Sequence, residues 1–390
     1  MELCNSDGRI LSDSGNEKQF LSDISSQDKP WDTHKAFCDN VSKVLKGSEK
    51  EAHQKQAKRI DECSQNLEFG WVLVSTDTGE LKLRLKHAWF CRVRHCPICQ
   101  WRRALMWVAR FFDAFPRIYA AYHEMRYIML TLTVKNCSIS ELRATVNQMN
   151  TAWKRLSQRK DFPALGFVRS LEVTRGKDGS AHPHFHILLA VPPSYFSRNY
   201  LSKDKWAVLW QDAMRLDYKP VCDVRIVKEK PKKGQLVEGV QTESTADPMK
   251  ALMSAITETI KYTTKPADMV KEKAWLLEMV DQMRNVRSVA LGGIFKQFLK
   301  ETETEQDLIT PSEADLLEAK KNDGGFMFGW RSRLKRYVYT GKKENKEPDK
   351  PTAFYWFFSF ANCYVHLPVR HFAVLTPPFR ERAIYDFLNS

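Results

Sequence analysis

Runs of apolar residues with strand periodicity occur along the middle of the chain and predict an antiparallel β-sheet. Residues 81–85 (LKLRL) alternate strictly between apolar and basic positions, and residues 71–74 (WVLV) precede them across a turn signal. Residues 127–134 (YIMLTLTV) form a β-rich run typical of a central strand. The runs at 166–174 and 185–191 are joined through the turn sequence GKDGS, so we predict that they form an antiparallel hairpin.

Apolar positions with helical spacing lie between and after these strands. The helices that this spacing predicts cover about 100–115, 138–156, 201–215, 247–264, 271–284 and 286–300. A further short strand is predicted at 221–227. Strands and helices in this order indicate an α+β fold, with a central antiparallel β-sheet and flanking helices.

Composition divides the chain into four regions. Residues 1–60 are rich in Ser, Asp, Lys and Gln, and we predict a disordered N-terminal arm because few apolar side chains are available for burial. A small cysteine-rich module is predicted at 61–117, and the main α+β domain at 118–300. In the C-terminal region, 301–390, residues 330–337 (WRSRLKRY) interleave basic and aromatic side chains, which suits contact with DNA but is equally typical of a solvated loop.

The charge of the chain points to a polyanionic partner. The 390 residues carry a formal net charge of +14 and include 11 tryptophans, a combination that favours nucleic acid because bases offer faces for stacking. A basic protein without such a partner is the alternative. The N-terminus lacks the pattern of a signal peptide, and the densest apolar run, 353–361, is shorter than the roughly 20 residues of a membrane span. We therefore expect a cytoplasmic protein that does not enter a membrane.

Four cysteines have spacing that predicts a structural zinc site. Cys96 and Cys99 form a Cys-x-x-Cys knuckle, in which two thiolates bind one ion. Cys91 supplies a third thiolate, and Cys63, across the predicted hairpin, a fourth. Such a closed four-ligand site stabilises the fold and leaves no coordination position for chemistry.

Other interpretations of this cysteine segment remain open. His87 or His95 could replace one thiolate, and an iron site or four buried free thiols would show the same spacing. A redox role requires a thioredoxin-like βαβ context, which the surrounding pattern lacks.

A second candidate metal site lies in the strand that begins with AHPHFH. Strand alternation places His184 and His186 on one face, about 7 Å apart, where both imidazoles can reach one cation. Glu172 lies on the neighbouring strand and completes a His-Glu-His set that leaves positions open for water and substrate. The alternatives are histidines at a surface strand end and a glutamate paired with a Lys or Arg. His182 precedes the pair on the same face and could replace Glu172.

The helix predicted at 247–264 carries a third candidate group. Glu258, Tyr262 and Lys265 are spaced i, i+4 and i+7, so they share one helix face. A carboxylate, a phenol and an amine on one face suit catalysis, although a solvated surface trio has the same spacing.

In this order, the motifs resemble those of plasmid rolling-circle replication initiators of the HUH endonuclease superfamily, the type with a single catalytic tyrosine and a nearby glutamate. The resemblance covers roughly residues 63–300 and rests on the ordered set CPICQWRRA, YIMLTLTV, LEVT, HPHFHILL and ETIKYTTK. It implies an HUH/RRM-like fold for the main domain, preceded by the zinc-binding module.

The resemblance also implies metal-dependent chemistry on DNA. His184 and His186 correspond to the metal-binding pair, with Glu172 as the third ligand of a catalytic Mg²⁺ or Mn²⁺ ion. The expected reaction is endonuclease nicking of single-stranded or supercoiled DNA at a replication origin.

In the same family pattern, Tyr262 corresponds to the nucleophile that forms a 5′-phosphotyrosine and leaves a 3′-OH primer. Glu258 corresponds to the carboxylate that activates water when replication terminates. A phenol has a pKa of about 10, so Tyr262 needs activation, which Lys265 or the metal ion would supply.

The implied partners are origin DNA, a host helicase and a DNA polymerase, since the sequence carries no nucleotide-binding loop of the Walker type. Two other functions fit the same motifs. One is a mobilisation relaxase or transposase with the same chemistry. The other is a non-catalytic DNA-binding protein stabilised by zinc, in which the histidines are structural.

Overall fold

The computed structural model describes residues 19–73, 81–227, 248–260, 269–299, 308 and 325–343. No helix in these ranges combines the length and the apolar run that a membrane span requires.

Helices and strands alternate along most of the described chain. The helices are α1 (Leu21–Ile24), α2 (Lys29–Lys46), α3 (Glu51–Glu62), α4 (Pro97–Ala121), α5 (Leu142–Ser157), α6 (Lys203–Met214), α7 (Pro248–Thr259), α8 (Lys273–Gln282) and α9 (Phe295–Phe298). The strands are β1 (Asn66–Leu73), β2 (Leu81–Ala88), β3 (Arg126–Thr133), β4 (Gly166–Arg175), β5 (Ala181–Val191), β6 (Cys222–Ile226), β7 (Val289–Gly293), β8 (Phe326–Arg331) and β9 (Arg336–Lys342).

The strands form two antiparallel sheets. The first has the order β2-β1-β8-β9 and the second the order β6-β3-β5-β4-β7. The predicted α+β class with antiparallel sheet and flanking helices is therefore confirmed, as is the predicted β4–β5 hairpin. The cysteine cluster beside the first sheet is compatible with the predicted zinc module.

The second sheet is covered by helices on both faces. On one face, Phe185 packs against Trp210 of α6, with ring centroids 6.2 Å apart, and Phe167 packs against Trp153 of α5 at 4.9 Å. On the other face lies α7, where the Thr259 hydroxyl donates to the Met129 sulfur at 3.2 Å. Because side chains alternate along β5, its even-numbered histidines share the face that α7 covers.

Residues 19–60 differ from the prediction of a disordered arm, because they form α1, α2 and most of α3. Trp31, Val41 and Leu45 of α2 are almost fully buried, and Trp31 meets Trp101 of α4 edge-on at 4.9 Å. The prediction failed because it used average composition. The few apolar residues of this polar segment fall on one helix face, which is enough to dock the helix.

In the C-terminal hairpin β8–β9, the aromatic and the basic residues of the predicted DNA-contacting stretch have different surroundings. Trp330 and Tyr337 are 2% and 0% exposed, so their rings are not available for stacking on bases. Tyr337 donates its hydroxyl hydrogen to the Ser64 carbonyl at 2.6 Å, and β8 pairs with β1. The turn itself presents the exposed side chains of Arg331, Arg333 and Lys335 to solvent.

The predicted helix at 286–300 is wrong over its first half. Residues 289–293 form the edge strand β7, which pairs with β4, and only the short α9 follows. Gly292 and Gly293 end the strand, and Gly293 adopts a φ of +55°, a conformation that favours glycine. The two glycines and the β-branched valine of this Val-Ala-Leu-Gly-Gly run disfavour a helix, so the run pairs with β4 at the edge of the sheet instead.

Candidate active site and metal centres

The antiparallel register of β4 and β5 brings the predicted His-Glu-His residues together. Glu172 lies directly opposite His184, and Ser170 directly opposite His186. The Glu172 Oε2 atom is 3.0 Å from His186 Nε2 and 3.4 Å from His184 Nε2. The three side chains are largely buried, so they converge in a site with restricted access to water.

Hydrogen bonds at the far ring nitrogens orient the two imidazoles. His184 Nδ1 lies 3.2 Å from the His182 carbonyl oxygen, which only accepts, so this nitrogen carries the proton. With Nδ1 protonated, Nε2 is the nitrogen that faces Glu172, and it is the atom of His184 that would bind a metal ion. His186 Nδ1 lies 3.4 Å from the Thr131 hydroxyl of β3.

The chemistry of this donor set fits a divalent cation. The ligand atoms of Glu172, His184 and His186 all lie within 4.8 Å of one another. Burial by itself raises the pKa of Glu172, but hydrogen bonds and charge from the two histidines outweigh it and hold that pKa well below its usual value. Glu172 is therefore ionised at neutral pH, and two imidazoles with one carboxylate leave coordination positions for water or substrate.

His182, considered from the sequence as a substitute for Glu172, lies outside this group of three. Its Nδ1 is 2.8 Å from the Asn136 amide oxygen, and its ring centroid is 5.1 Å from that of His184. Burial, followed by the charge of His184, lowers the pKa of His182. His182 orients His184 through its backbone carbonyl oxygen, which accepts the hydrogen bond from His184 Nδ1.

The C-terminal end of α7 lies beside this histidine group. The hydroxyl of Ser170, directly opposite His186, donates to the carbonyl of Thr259. The described part of α7 runs to Thr259, and residues 261–264 of the helix that the sequence predicts to about residue 264 lie outside the described residues. Tyr262 and Lys265 lie outside the described residues, so the predicted helical spacing of Glu258 with these two residues stays a prediction.

Glu258 is held in an ion-pair network that sequence reasoning missed. Arg225 Nη2 lies 2.8 Å from Glu258 Oε1, and Arg225 Nε lies 3.0 Å from Asp223 Oδ2. Lys203 pairs with the other oxygen of Asp223 at 2.5 Å. The hydrogen bond from Lys203, together with the charges of Lys203 and Arg225, lowers the pKa of Asp223 despite its partial burial.

The register of strands β6, β3 and β5 places this ion-pair network, and with it Glu258, next to the histidine group. Asp223 lies directly opposite Thr131 of β3, and Thr131 lies directly opposite His186. The only sequence signal was the alternation of Asp223 and Arg225 along one side of the short strand predicted at 221–227.

The four predicted zinc ligands also come together, at the junction of α3, the loop after β2 and the start of α4. Cys63 Sγ lies 3.6 Å from both Cys96 Sγ and Cys99 Sγ, and Cys91 Sγ lies 3.7 Å from Cys99 Sγ. All four are fully buried, and their sulfur atoms lie within 4.8 Å of one another. His87 and His95 are not members of this group.

The thiols and the surrounding backbone favour binding of a cation. Hydrogen bonds from the other three thiols hold the pKa of Cys63 well below its ordinary value, which favours the thiolate form that binds metals. Burial raises the pKa of the remaining three. Backbone N–H groups add donors, from Cys91 to the Cys63 sulfur at 3.5 Å and from Arg92 to the Cys99 sulfur at 3.3 Å. Four buried sulfur ligands are typical of a structural metal site.

A buried lysine that sequence reasoning also missed joins α2 to this centre. Lys35 is 0% exposed, and its Nζ donates to the carbonyls of Asp61 at 2.7 Å and Cys63 at 2.6 Å. The ammonium group thus satisfies carbonyls at the end of α3 and places a positive charge beside the sulfur cluster. Its sequence context in a polar segment gave no signal of this role.

Comparison with known proteins places the chain in a family. The model of the replication protein family Rep_1 matches residues 82–338, which is well over half of the chain and includes both candidate metal groups except Cys63. The chain belongs to this replication protein family. The predicted relationship to plasmid rolling-circle replication initiators is thereby confirmed.

Curated relatives agree with the family assignment. "Protein rep" of Lentilactobacillus hilgardii is 33% identical over 300 residues, covering 74% of this chain and 88% of the relative. "Protein rep" of Bacillus amyloliquefaciens is 33% identical over 303 residues, covering 73% and 85%. "Protein rep" of Streptococcus pneumoniae serotype 2 is 31% identical over 281 residues, covering 70% and 80%. No solved structure gives a significant match to the chain.

Proposed function

We propose that this replication protein is a metal-dependent DNA endonuclease and strand transferase. It nicks single-stranded or supercoiled origin DNA, keeps one end as a 5′-phosphotyrosine and leaves a 3′-OH that a polymerase extends. It acts on plasmid DNA in the cytoplasm with a host helicase as partner. The matching family is described as a replication protein, and curated relatives from Staphylococcus aureus and a Bacillus species are named "Replication protein", which supports this use of the chemistry over mobilisation or transposition.

The convergence of Glu172, His184 and His186 beneath the end of α7 is the observation that carries this proposal. Tyr262 follows Thr259 by three residues, a stretch that spans at most roughly 10 Å. Thr259 contacts Ser170, the direct neighbour of His186. The chain length therefore allows the Tyr262 phenol to reach a phosphate bound at the histidine group.

In the proposed reaction the chain's own residues bind, orient and move protons. Glu172, His184 and His186 would hold Mg²⁺ or Mn²⁺, which supplies neutralisation of charge on the scissile phosphate when bound. The phenolate of Tyr262 attacks phosphorus, forming the tyrosyl O–P bond and breaking the bond to the 3′-oxygen, which gains a proton. Lys265 stabilises the phenolate, since a phenol has a pKa of about 10.

Glu258 has a separate role in this proposal. After one round of replication it takes a proton from water, which attacks the regenerated site and ends the cycle. Its ion pair with Arg225 at 2.8 Å holds the carboxylate at the β6 side of the site.

DNA binding and the structural metal belong to other parts of the molecule. The net charge of +14 and the exposed Arg331, Arg333 and Lys335 of the β8–β9 turn provide cations for phosphate contacts. Cys63, Cys91, Cys96 and Cys99 would hold a structural Zn²⁺ ion, because four sulfur ligands select zinc and close its coordination sphere.

The decisive experiment uses labelled single-stranded oligonucleotides of mixed sequence with Mn²⁺ and denaturing gels. A 3′-label should move with the protein as a covalent adduct, because the phosphotyrosine retains the 3′ part of the strand. A 5′-label should appear in a shorter fragment that a polymerase extends. Binding without any cleavage, in Mg²⁺ and in Mn²⁺, would instead assign the chain to non-catalytic DNA-binding proteins.

Loss of either metal-site histidine should separate cleavage from binding. We expect His184→Ala and His186→Ala to lower the nicking rate on the order of 10³-fold, because several kcal/mol of charge stabilisation is lost. DNA affinity and its dependence on salt should stay close to wild type, since binding rests on dispersed Lys and Arg contacts. His182→Ala, on the same strand face but outside the group, is the matched control and should retain nicking. Loss of binding together with cleavage in folded histidine variants would contradict this assignment.

Replacement of Glu258 should affect only the end of the reaction. We expect Glu258→Ala to nick and form the adduct at near wild-type rates but to release it roughly 10²-fold or more slowly, because the general base is missing. Glu258→Tyr should partly restore release, because a second phenol can attack where water did. Arg225→Ala should show the same defect to a smaller extent, with Arg225→Lys intermediate. Adduct formation that fell as far as release would argue against a termination role.

A further inference from the structure

A fifth thiol adjoins the four-cysteine group. Cys38 of α2 is 0% exposed, and its sulfur lies 3.6 Å from the sulfur of Cys96. The same distance separates Cys63 from Cys99 within the group. Ligand sulfurs on one tetrahedral zinc ion lie about 3.8 Å apart for a Zn–S bond of about 2.3 Å. Cys38 thus contacts one predicted ligand at the separation that ligands have from each other.

The protonation states of Cys38 and Cys96 determine which thiol donates in this contact. Cys96 as a ligand is a thiolate and has no hydrogen to donate, so Cys38 must supply the S–H of the contact. The Cys38 thiol has no other hydrogen-bond partner among the described residues. Of the four predicted ligands, only Cys96 has an additional thiol against it, while Cys63 and Cys99 accept backbone N–H groups.

The helix that carries Cys38 is fixed at the centre. Lys35, three residues earlier and therefore on the same helix face, donates to the carbonyl of Cys63 at 2.6 Å. This contact fixes α2 at the centre, and the Cys38 sulfur, although outside the four-cysteine group, lies next to the position that Cys96 would vacate.

We propose that Cys38 is a reserve ligand of the sulfur centre, able to replace Cys96 in binding the metal ion. In the intact centre it donates its S–H to the Cys96 thiolate. When Cys96 dissociates, Cys38 transfers its proton to the released Cys96 thiolate, and when Cys96 is replaced it loses that proton to water. In both cases the Cys38 thiolate closes the four-sulfur shell with Cys63, Cys91 and Cys99. The inference rests on the proposed zinc site, and it does not depend on the nicking chemistry.

Zinc content tests the proposal on the full-length protein. Wild type should hold about one zinc ion per chain, and a wild type without zinc would refute the proposed site itself. Cys96→Ala should retain zinc with affinity lowered roughly 10- to 100-fold, whereas Cys91→Ala should lose it. The double variants Cys38→Ala/Cys96→Ala and Cys38→Ser/Cys96→Ala should also lose it, because neither alanine nor a hydroxyl replaces a thiolate ligand. A Cys96→Ala protein that holds no more zinc than Cys91→Ala overturns the reserve-ligand role.

A second measurement keeps all four ligands and so does not depend on the folding of Cys96 variants. Zinc transfer to a coloured chelator should be several-fold faster from both Cys38→Ala and Cys38→Ser than from wild type, because neither can capture the ion when Cys96 dissociates. Cys137→Ala, a half-buried cysteine outside the group, should match wild type. If Cys38→Ser transfers zinc at the wild-type rate while Cys38→Ala does not, Cys38 is only a hydrogen-bond donor and the proposal fails.

Discussion

Tyr262→Phe should yield no covalent protein–DNA adduct in Mg²⁺ or in Mn²⁺, with nicking reduced on the order of 10⁴-fold or more. The change removes one oxygen atom, the only atom of the protein proposed to bond to DNA. A phenyl ring cannot form the ester with phosphate, and no other group is proposed to replace it. The measurement is a denaturing gel of 3′-labelled oligonucleotide after incubation with the protein, read as the fraction of label that migrates with the chain.

Controls for this prediction separate loss of the nucleophile from general damage. Tyr200→Phe, which alters a half-exposed tyrosine packed against Tyr195, should form the adduct at the wild-type level. Tyr262→Phe should also bind oligonucleotide with the wild-type salt dependence, because its cationic contacts are unchanged. An adduct formed by Tyr262→Phe would assign the nucleophile to another residue and leave the histidine group without its proposed partner.

Loss of a ligand of the sulfur centre should have the largest effect on stability. We expect Cys91→Ser and Cys99→Ser to lose bound zinc and to be destabilised by about 4 kcal/mol or more, the stabilisation given by a ligand present at about 1,000 times its Kd. That loss is a large fraction of the free energy of unfolding of a typical domain, which is about 5–15 kcal/mol. Metal analysis and thermal unfolding of the purified variants provide the measurement.

Controls should show that the loss of stability comes from loss of the metal ion. Cys137→Ala is the matched control, because this thiol lies outside the group and should keep both zinc and thermal stability. A strong chelator added to wild type should reproduce the destabilisation of the ligand variants, and added zinc should reverse it in wild type alone. Ligand variants as stable as wild type would show that the four cysteines are ordinary buried thiols.

The local part of this molecule could be predicted from the sequence because it depends on short-range periodicity. Alternation along β5 was enough to place His184 and His186 on one face, and the turn sequence after β4 was enough to pair that strand with β5. Knuckle spacing predicted the association of Cys96 with Cys99. These inferences use neighbours within a few residues, where backbone geometry alone fixes the direction of each side chain.

Predictions that relied on average composition were wrong in segments where a few buried residues determine how the segment packs. The first sixty residues are polar as a whole, yet the buried faces of α2 and α3 need only one apolar side chain in each helical turn. The burial of Trp330 and Tyr337 was not predicted, because aromatic side chains are as common in protein cores as at nucleic-acid contacts.

The sequence alone determined the fold class, the helix and strand types over most of the main domain, and both sets of candidate metal ligands. Only the tertiary structure decided that Lys35 and Cys38 reach the sulfur centre, that β8 pairs with β1, and that Arg225 holds Glu258. Each of these contacts joins residues that are many positions apart. Their meeting depends on how whole helices and strands pack, which local periodicity does not encode.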